Sequence, residues 1–332
     1  MVAQLSAVAC ALVALCAILV GRLIAEEPKS VEPTPEQLKA AQVAFAKLGG
    51  KYSSMPYPKT GETVYFFSLP STATDADLKK LPNLEFPFTL NLDGTKVTDH
   101  GLAVLKELKE LTGLALSQTR IGDSGLKELK DFKQLTSLKL DSTMVTDTGL
   151  KELKEMKRLR FLQLGFTNIT DAGLRELTGL EQLTALWLEG TQITDSGLVE
   201  IKRLRKLNTL GLSYTEITDA GLKELKDLKQ LGMLFLCQTQ ITDAGLKQLK
   251  NHKFLTALDL RDTKVSDEGL KELRELKDLG LLDLGGTQVT DAGLTELKEL
   301  RKLFRVDLKN TKVTSAGVKE LKAALPKCEI GR

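Results

Sequence analysis

Residues 183–206, LTALWLEGTQITDSGLVEIKRLRK, carry two periodicities in one 24-residue stretch. Leu186 and Leu188 alternate, as inward-facing residues of a short strand do. The G-L-x-x-L run that follows, better seen at Gly221, Leu222, Leu225 and Leu228, spaces its leucines as one stripe of a helix. Moving outward, the same phrase returns in both directions. Glycine recurs at 101, 125, 149, 173, 197, 221, 245, 269, 293 and 317, a constant step with no insertion. The shared pattern is L-x-x-L-x-L-x-x-T-x-[IV]-[TS]-D-x-G-L-x-x-L-x-x-L.

A single unit cannot bury both its strand and its helix stripe, so the units must stack around one continuous core. Parallel strands sit roughly 4.8 Å apart and packed helices roughly 8–10 Å apart. The strands therefore take the inner side of a curve, with at most roughly 25° per repeat if the layers are about 10 Å apart. The expected fold is α/β: an open horseshoe with a parallel sheet on the concave face and helices on the convex face.

Beyond the regular units, residues 64–86 read as a degenerate first repeat with Asp77 at the glycine position, and LPKCEIGR (325–332) begins another unit. Upstream, Thr34-Pro35-Glu36-Gln37 is a helix start, with Thr at the N-cap and Pro at the first helical position. Leu38, Ala41, Val43, Phe45 and Leu48 form its apolar face, and Gly49-Gly50 stops it. A loop is expected to Thr60 and a strand over Thr63–Leu69. Residues 26–34 read as a linker. From Ser6 to Val20 only Ser6 is polar, which suits an export signal or an uncleaved membrane anchor within residues 1–25. Neither form is ideal: no basic residue precedes the run, and Leu23-Ile24-Ala25 lacks the small-x-small cleavage pattern. The organisation is thus 1–25 signal or anchor, 26–63 linker and capping helix, 64–332 repeat array.

The pattern resembles the leucine-rich-repeat family. Its T-x-[IV]-T-D-x-G-L variant is similar to arrays in exported bacterial proteins, notably planctomycete ones, and more distantly to eukaryotic F-box leucine-rich-repeat proteins. The resemblance covers residues 64–332. It implies a solenoid that binds a protein or peptide on its concave face, exported and either membrane-anchored or secreted. An adaptor subunit of a larger complex, a structural cell-surface protein and a cytoplasmic location are the alternatives; residues 1–95 hold no obvious F-box.

The repeated polar columns read as scaffold. Thr at 95, 119 and once per unit to 311 suits a hydroxyl ladder that satisfies backbone where strands turn away. Asp at 99, 123 and once per unit to 291 suits helix capping rather than a cation-binding stripe, with Ser315 taking the same part in the last unit. Alternating Lys/Arg and Glu columns on the helices suit a solvated, salt-bridged surface rather than a polyanion track.

Specificity must then lie where the repeat is broken on the sheet face. Phe161, Phe166, Trp187, Tyr214 and Phe235 fall on neighbouring units with small residues at 165, 185, 190 and 211. They form the candidate partner-binding patch, with packing of the rings on one another as the alternative. No catalytic constellation, cofactor motif or metal-ligand spacing is present. His100 and His252 are more than six repeats apart, and His252 reads as the end of a helix. Cys237 and Cys328 are nearly four repeats apart, too far to bridge, so both should be free thiols, with Cys237 the more exposed. A net charge of +3 over 332 residues offers no argument for nucleic acid. A non-catalytic monomer is expected, touching membrane only through its N-terminal segment.

Overall fold

The computed structural model describes residues 32–56 and 63–332. The signal or anchor segment 1–25 lies outside the described residues, and among those described no helix is long and apolar enough to cross a membrane. The chain divides into two compact units: the first runs to Ile169 and includes Gly179–Thr184, and the second holds Thr170–Thr178 and Ala185–Arg332.

In the first unit the helix α1 (Pro35–Lys47) opens with Thr34 accepting from the Gln37 amide while the Gln37 side chain accepts from the Thr34 amide. The strands β1 (Lys51–Pro56), β2 (Thr63–Ser68), β3 (Phe88–Asn91), β4 (Leu111–Ala115), β5 (Ser137–Lys139) and β6 (Phe161–Gln163) lie side by side in chain order. Every pairing is parallel except the first: β1 and β2 form an antiparallel hairpin. Residues 51–56 are therefore strand where the Tyr/Pro/Gly content suggests loop. The hairpin lets α1 and five rings close this end. Phe45 stacks on Phe67 at 4.5 Å, and Tyr52, Phe86 and Phe88 sit 5.4, 6.4 and 6.1 Å from the same ring. Aromatic rings fill here the volume that regular units fill with leucine.

In the second unit β7 (Ala185–Trp187), β8 (Thr209–Gly211), β9 (Met233–Phe235), β10 (Ala257–Asp259), β11 (Leu281–Asp283), β12 (Arg305–Asp307) and β13 (Glu329–Gly331) are parallel, each residue paired with its equivalent in the next unit. Across both units the leucines of L-x-L and of the helix stripe are fully buried, as at Leu210, Leu212, Leu222 and Leu225. The helices are short, one or two turns such as Asp195–Ile201 and Asp243–Leu249.

The Asp column corrects the capping expectation. The N-cap of each helix is usually the Thr before the Asp, and its hydroxyl accepts the second helical amide, as Thr194 does from Ser196 at 3.3 Å. Thr314 does the same before Ser315. The Asp is the first helical residue, and its carboxylate reaches the next repeat instead. Asp195 accepts the Thr218 amide at 2.8 Å and the Thr218 hydroxyl at 2.6 Å. Asp75, Asp123, Asp171, Asp219, Asp243, Asp267 and Asp291 each bind amide and hydroxyl 23 residues ahead in the same way. Each carboxylate thus staples two repeats through charge-assisted bonds.

The staple also explains the glycine column. A Cβ on Gly221 would lie 2.3 Å from the Asp195 Oδ1, and one on Gly245 would lie 2.3 Å from the Asp219 Oδ1. Glycine is required there for the close approach of the previous unit's carboxylate. Asp77 fits the same position in the first repeat, where the counterpart of Asp75 one step earlier is Lys51 and no carboxylate comes forward. Its side chain caps Thr74 instead.

On the helix side the ion-pair expectation holds as a set of repeat-to-repeat bridges. Lys106–Glu128, Lys202–Glu224, Arg274–Glu296 and Lys298–Glu320 span 2.8–4.0 Å. Where Thr178 interrupts the basic column, Arg175 reaches Glu200 at 3.4 Å. These pairs are largely exposed, and each contributes about 0–1 kcal/mol.

Candidate interaction surface

The geometry of the sheet face is set by one turn, repeated at the end of every strand. Three residues before each D-x-G turn's [IV], at 94, 118, 142, 166, 190, 214, 238, 262, 286 and 310, the backbone is left-handed, with φ between 53° and 69°. That conformation turns the chain out of the sheet while keeping the residue's amide in the inter-repeat ladder. Tyr214, Gln238 and Asp262 donate to Cys237, Arg261 and Gly285 carbonyls at 2.8–2.9 Å. The Thr that follows locks the turn: the Thr215 hydroxyl donates to the Leu212 carbonyl within its own repeat, and the other members of the column repeat the bond. The Thr column is thus a set of local turn locks that do satisfy backbone, rather than a ladder between repeats.

Glycine holds the left-handed position at 94, 190 and 286. Phe166 (φ 56°) and Tyr214 (φ 60°) hold it too, and their rings stay exposed, 54% and 38%. A bulky residue pays roughly 1–2 kcal/mol for this conformation relative to an ordinary one.

The sequence-derived patch divides between the units. In the first, Phe161 is half-buried with the Lys139 ammonium 5.8 Å from its ring centre, and Phe166 is exposed. In the second, Trp187 and Phe235 are buried at 6% and 5% exposure, because they stack on each other at 4.9 Å and 29° across two repeats. Gly211, on the strand between, makes the stack possible: a Cβ there would lie 2.6 Å from Trp187. The indole nitrogen is buried without a hydrogen-bond partner. Only Tyr214 of the three offers its ring to solvent to any extent.

Tyr214 is joined to residues the patch did not include. The Arg261 guanidinium donates to the Cys237 sulfur at 3.2–3.3 Å and lies 3.5 Å from the Tyr214 hydroxyl. Cys237 is 1% exposed, which corrects the expectation of an accessible thiol. Burial, then the nearby Asp259 charge, pushes its pKa up to about 11, so it stays a thiol. Cys328 is likewise free and buried.

Farther along, Asp259, Asp283 and Asp307 pair in register on β10, β11 and β12 and are all at least 95% buried. Each accepts the amide two residues on, at 2.9–3.0 Å. Burial, followed by the charge of Asp259, raises the Asp283 pKa to about 7. Among the described residues no group of three or more His, Cys, Asp or Glu is placed to hold a metal ion.

The recurring L-x-L strand, left-handed turn, Thr lock and short helix match the Leucine Rich repeat family model over residues 158–177, 203–226 and 251–273. The chain's fold is the leucine-rich-repeat fold. An internalin (inlF) from Listeria monocytogenes is a similar solved structure: 19% identical, covering 94% of this chain and 96% of that one, with a TM-score of 0.55. A second Listeria monocytogenes protein, internalin C2, is 25% identical and covers 86% of this chain and 100% of that one, at a TM-score of 0.44. No curated protein matches the sequence. At 19% identity the likeness to inlF speaks to the fold alone.

The five aromatic positions were found because they break the repeat. The left-handed column escaped because its residues differ from unit to unit. Its signal was the glycine at 94, 190 and 286, each four repeats apart.

Proposed function

We propose that the chain is a non-catalytic leucine-rich-repeat module that binds a protein or peptide on its sheet face, and that it is exported, either membrane-tethered or secreted. The observation that carries the reading is the pair of exposed rings at left-handed positions, Phe166 in one unit and Tyr214 in the other. The fold does not need a ring at these positions, since glycine serves the same turn at 94, 190 and 286. An aromatic side chain held there meets a partner with little rotamer entropy left to lose, as binding hot spots do. Trp187 and Phe235 stack on each other in the same unit as Tyr214, and Phe161 opens the strand that precedes Phe166. The apolar run 6–20 supports export.

The test compares the full chain with its Tyr214→Gly and Phe166→Gly variants as baits, with captured proteins identified by mass spectrometry. The reading expects at least one partner held by the parent to be lost or weakened about tenfold by one variant, with unfolding midpoints unchanged or higher. Identical captured sets from all three baits would sink it.

A further inference from the structure

His252 stands where every other unit has an apolar residue. Its counterparts in the other units are Leu108, Phe132, Met156, Leu180, Leu204, Leu228, Leu276 and Leu300, all in the core beneath the turn that leads from helix to strand. His252 is as buried as they are, at 1% exposure. Its backbone closes that turn, with the His252 amide donating to the Leu249 carbonyl and the Leu255 amide donating to the His252 carbonyl, at 2.9 and 3.0 Å. Neither ring nitrogen has a hydrogen-bond partner of acceptable geometry. The sequence reading placed His252 at a helix end; it sits past that end, in the core.

An imidazole in this position is tolerated while neutral. A proton would place a charge in an apolar layer, and among the described residues no carboxylate faces it. Among the described residues the charged group acting on the ring is the Lys229 ammonium, from the turn of the preceding repeat, which repels the charged form. Burial acts in the same direction and is the larger effect; the Leu228 carbonyl opposes both, and the balance leaves the imidazole below its ordinary pKa. We propose that His252 is an acid-sensitive latch: protonation expels the ring from the core and opens the 249–255 turn of the second unit, while the rest of the unit keeps its staples. For a His with a depressed folded pKa, the stability is complete above about pH 6.5 and is lost as pH falls below that value. The buried Asp283, whose pKa is raised, works in the opposite direction over about pH 4–7.

Hydrogen exchange of the full chain read by mass spectrometry at pH 7.5 and pH 5, corrected for the intrinsic pH dependence of exchange, tests this. Peptides covering 249–256 should lose protection at least tenfold at pH 5, and the equivalent peptides around Leu228 and Leu276 should lose less. His252→Leu restores the residue type of the column and should abolish the loss. Lys229→Gln removes the repelling ammonium and brings the folded imidazole nearer its ordinary pKa, so the loss of protection at pH 5 should become smaller; a larger loss in this variant would overturn the proposal. Equal loss in the parent and in His252→Leu, or no loss in the parent, would overturn the proposal.

Discussion

Two turns recur in every unit and behave in opposite ways. At the D-x-G turn the residues hardly change, because each side chain has a fixed neighbour one repeat away. The Asp carboxylate reaches the next Thr, and the next Gly makes room for it. At the left-handed turn the backbone is as constant, yet its residues include Gly, Gln, Ser, Phe, Tyr, Asp and Asn. There the amide joins the ladder, while the side chain differs from unit to unit. Packing between repeats fixes identity; a shared backbone conformation alone does not. The freedom at the second turn is what leaves room for the exposed rings of Phe166 and Tyr214.

The largest effect expected from breaking this contrast is at the first turn. Gly221→Ala puts a Cβ against the Asp195 carboxylate and should cost about 3 kcal/mol, from overpacking plus the disturbed staple. In a urea double-mutant cycle, adding Asp195→Ala should recover part of the clash, giving a non-additive pair. Additive losses would mean that the carboxylate is not what the glycine accommodates.

A third column lies between the two cases. Asp259, Asp283 and Asp307 repeat in register but repel rather than join. Because the folded Asp283 pKa is raised to about 7, chiefly by burial, the fold favours its protonated form. Its contribution is most favourable below the unfolded value near 4 and is lost as pH rises through about 7. Asp283→Asn should raise stability by about 1–2 kcal/mol at pH 8 and change it little at pH 4, measured by urea midpoints across that range. A gain independent of pH would remove the titration from the explanation.

The smallest effect is at the left-handed turn. Phe166→Gly relieves a φ of 56° and should raise the unfolding midpoint slightly, by roughly 0.5 kcal/mol, because the greater freedom of glycine in the unfolded chain offsets part of the relief. A loss above about 1 kcal/mol would show that the ring supports the fold.

The constant step made the repeat architecture legible, since only stacked units bury both leucine stripes. Less legible were features that depend on which repeat a side chain reaches. Asp at a helix start reads as a cap, and nothing in one unit says that its partner lies 23 residues ahead. Trp187 reads as an exposed anchor until Gly211 is seen to open a path to Phe235 two repeats away. The first hairpin was missed because residues 51–56 find their strand partner in β2 rather than in their own pattern. His252 was legible in principle: its column is apolar in every other unit.

The staple carries a consequence for how such a chain changes length. Each regular unit before the last offers an Asp forward and receives the previous one on a Thr, Ser or Gly amide, so the joint between neighbours is nearly interchangeable. Excising residues 195–218 would place Asp171 and Thr194 before Asp219 and Thr242, with both staples intact and no new surface to invent. Whole units can be lost or duplicated in one genetic event without a repair elsewhere, whereas a change of one residue in spacing would break every contact across the cut.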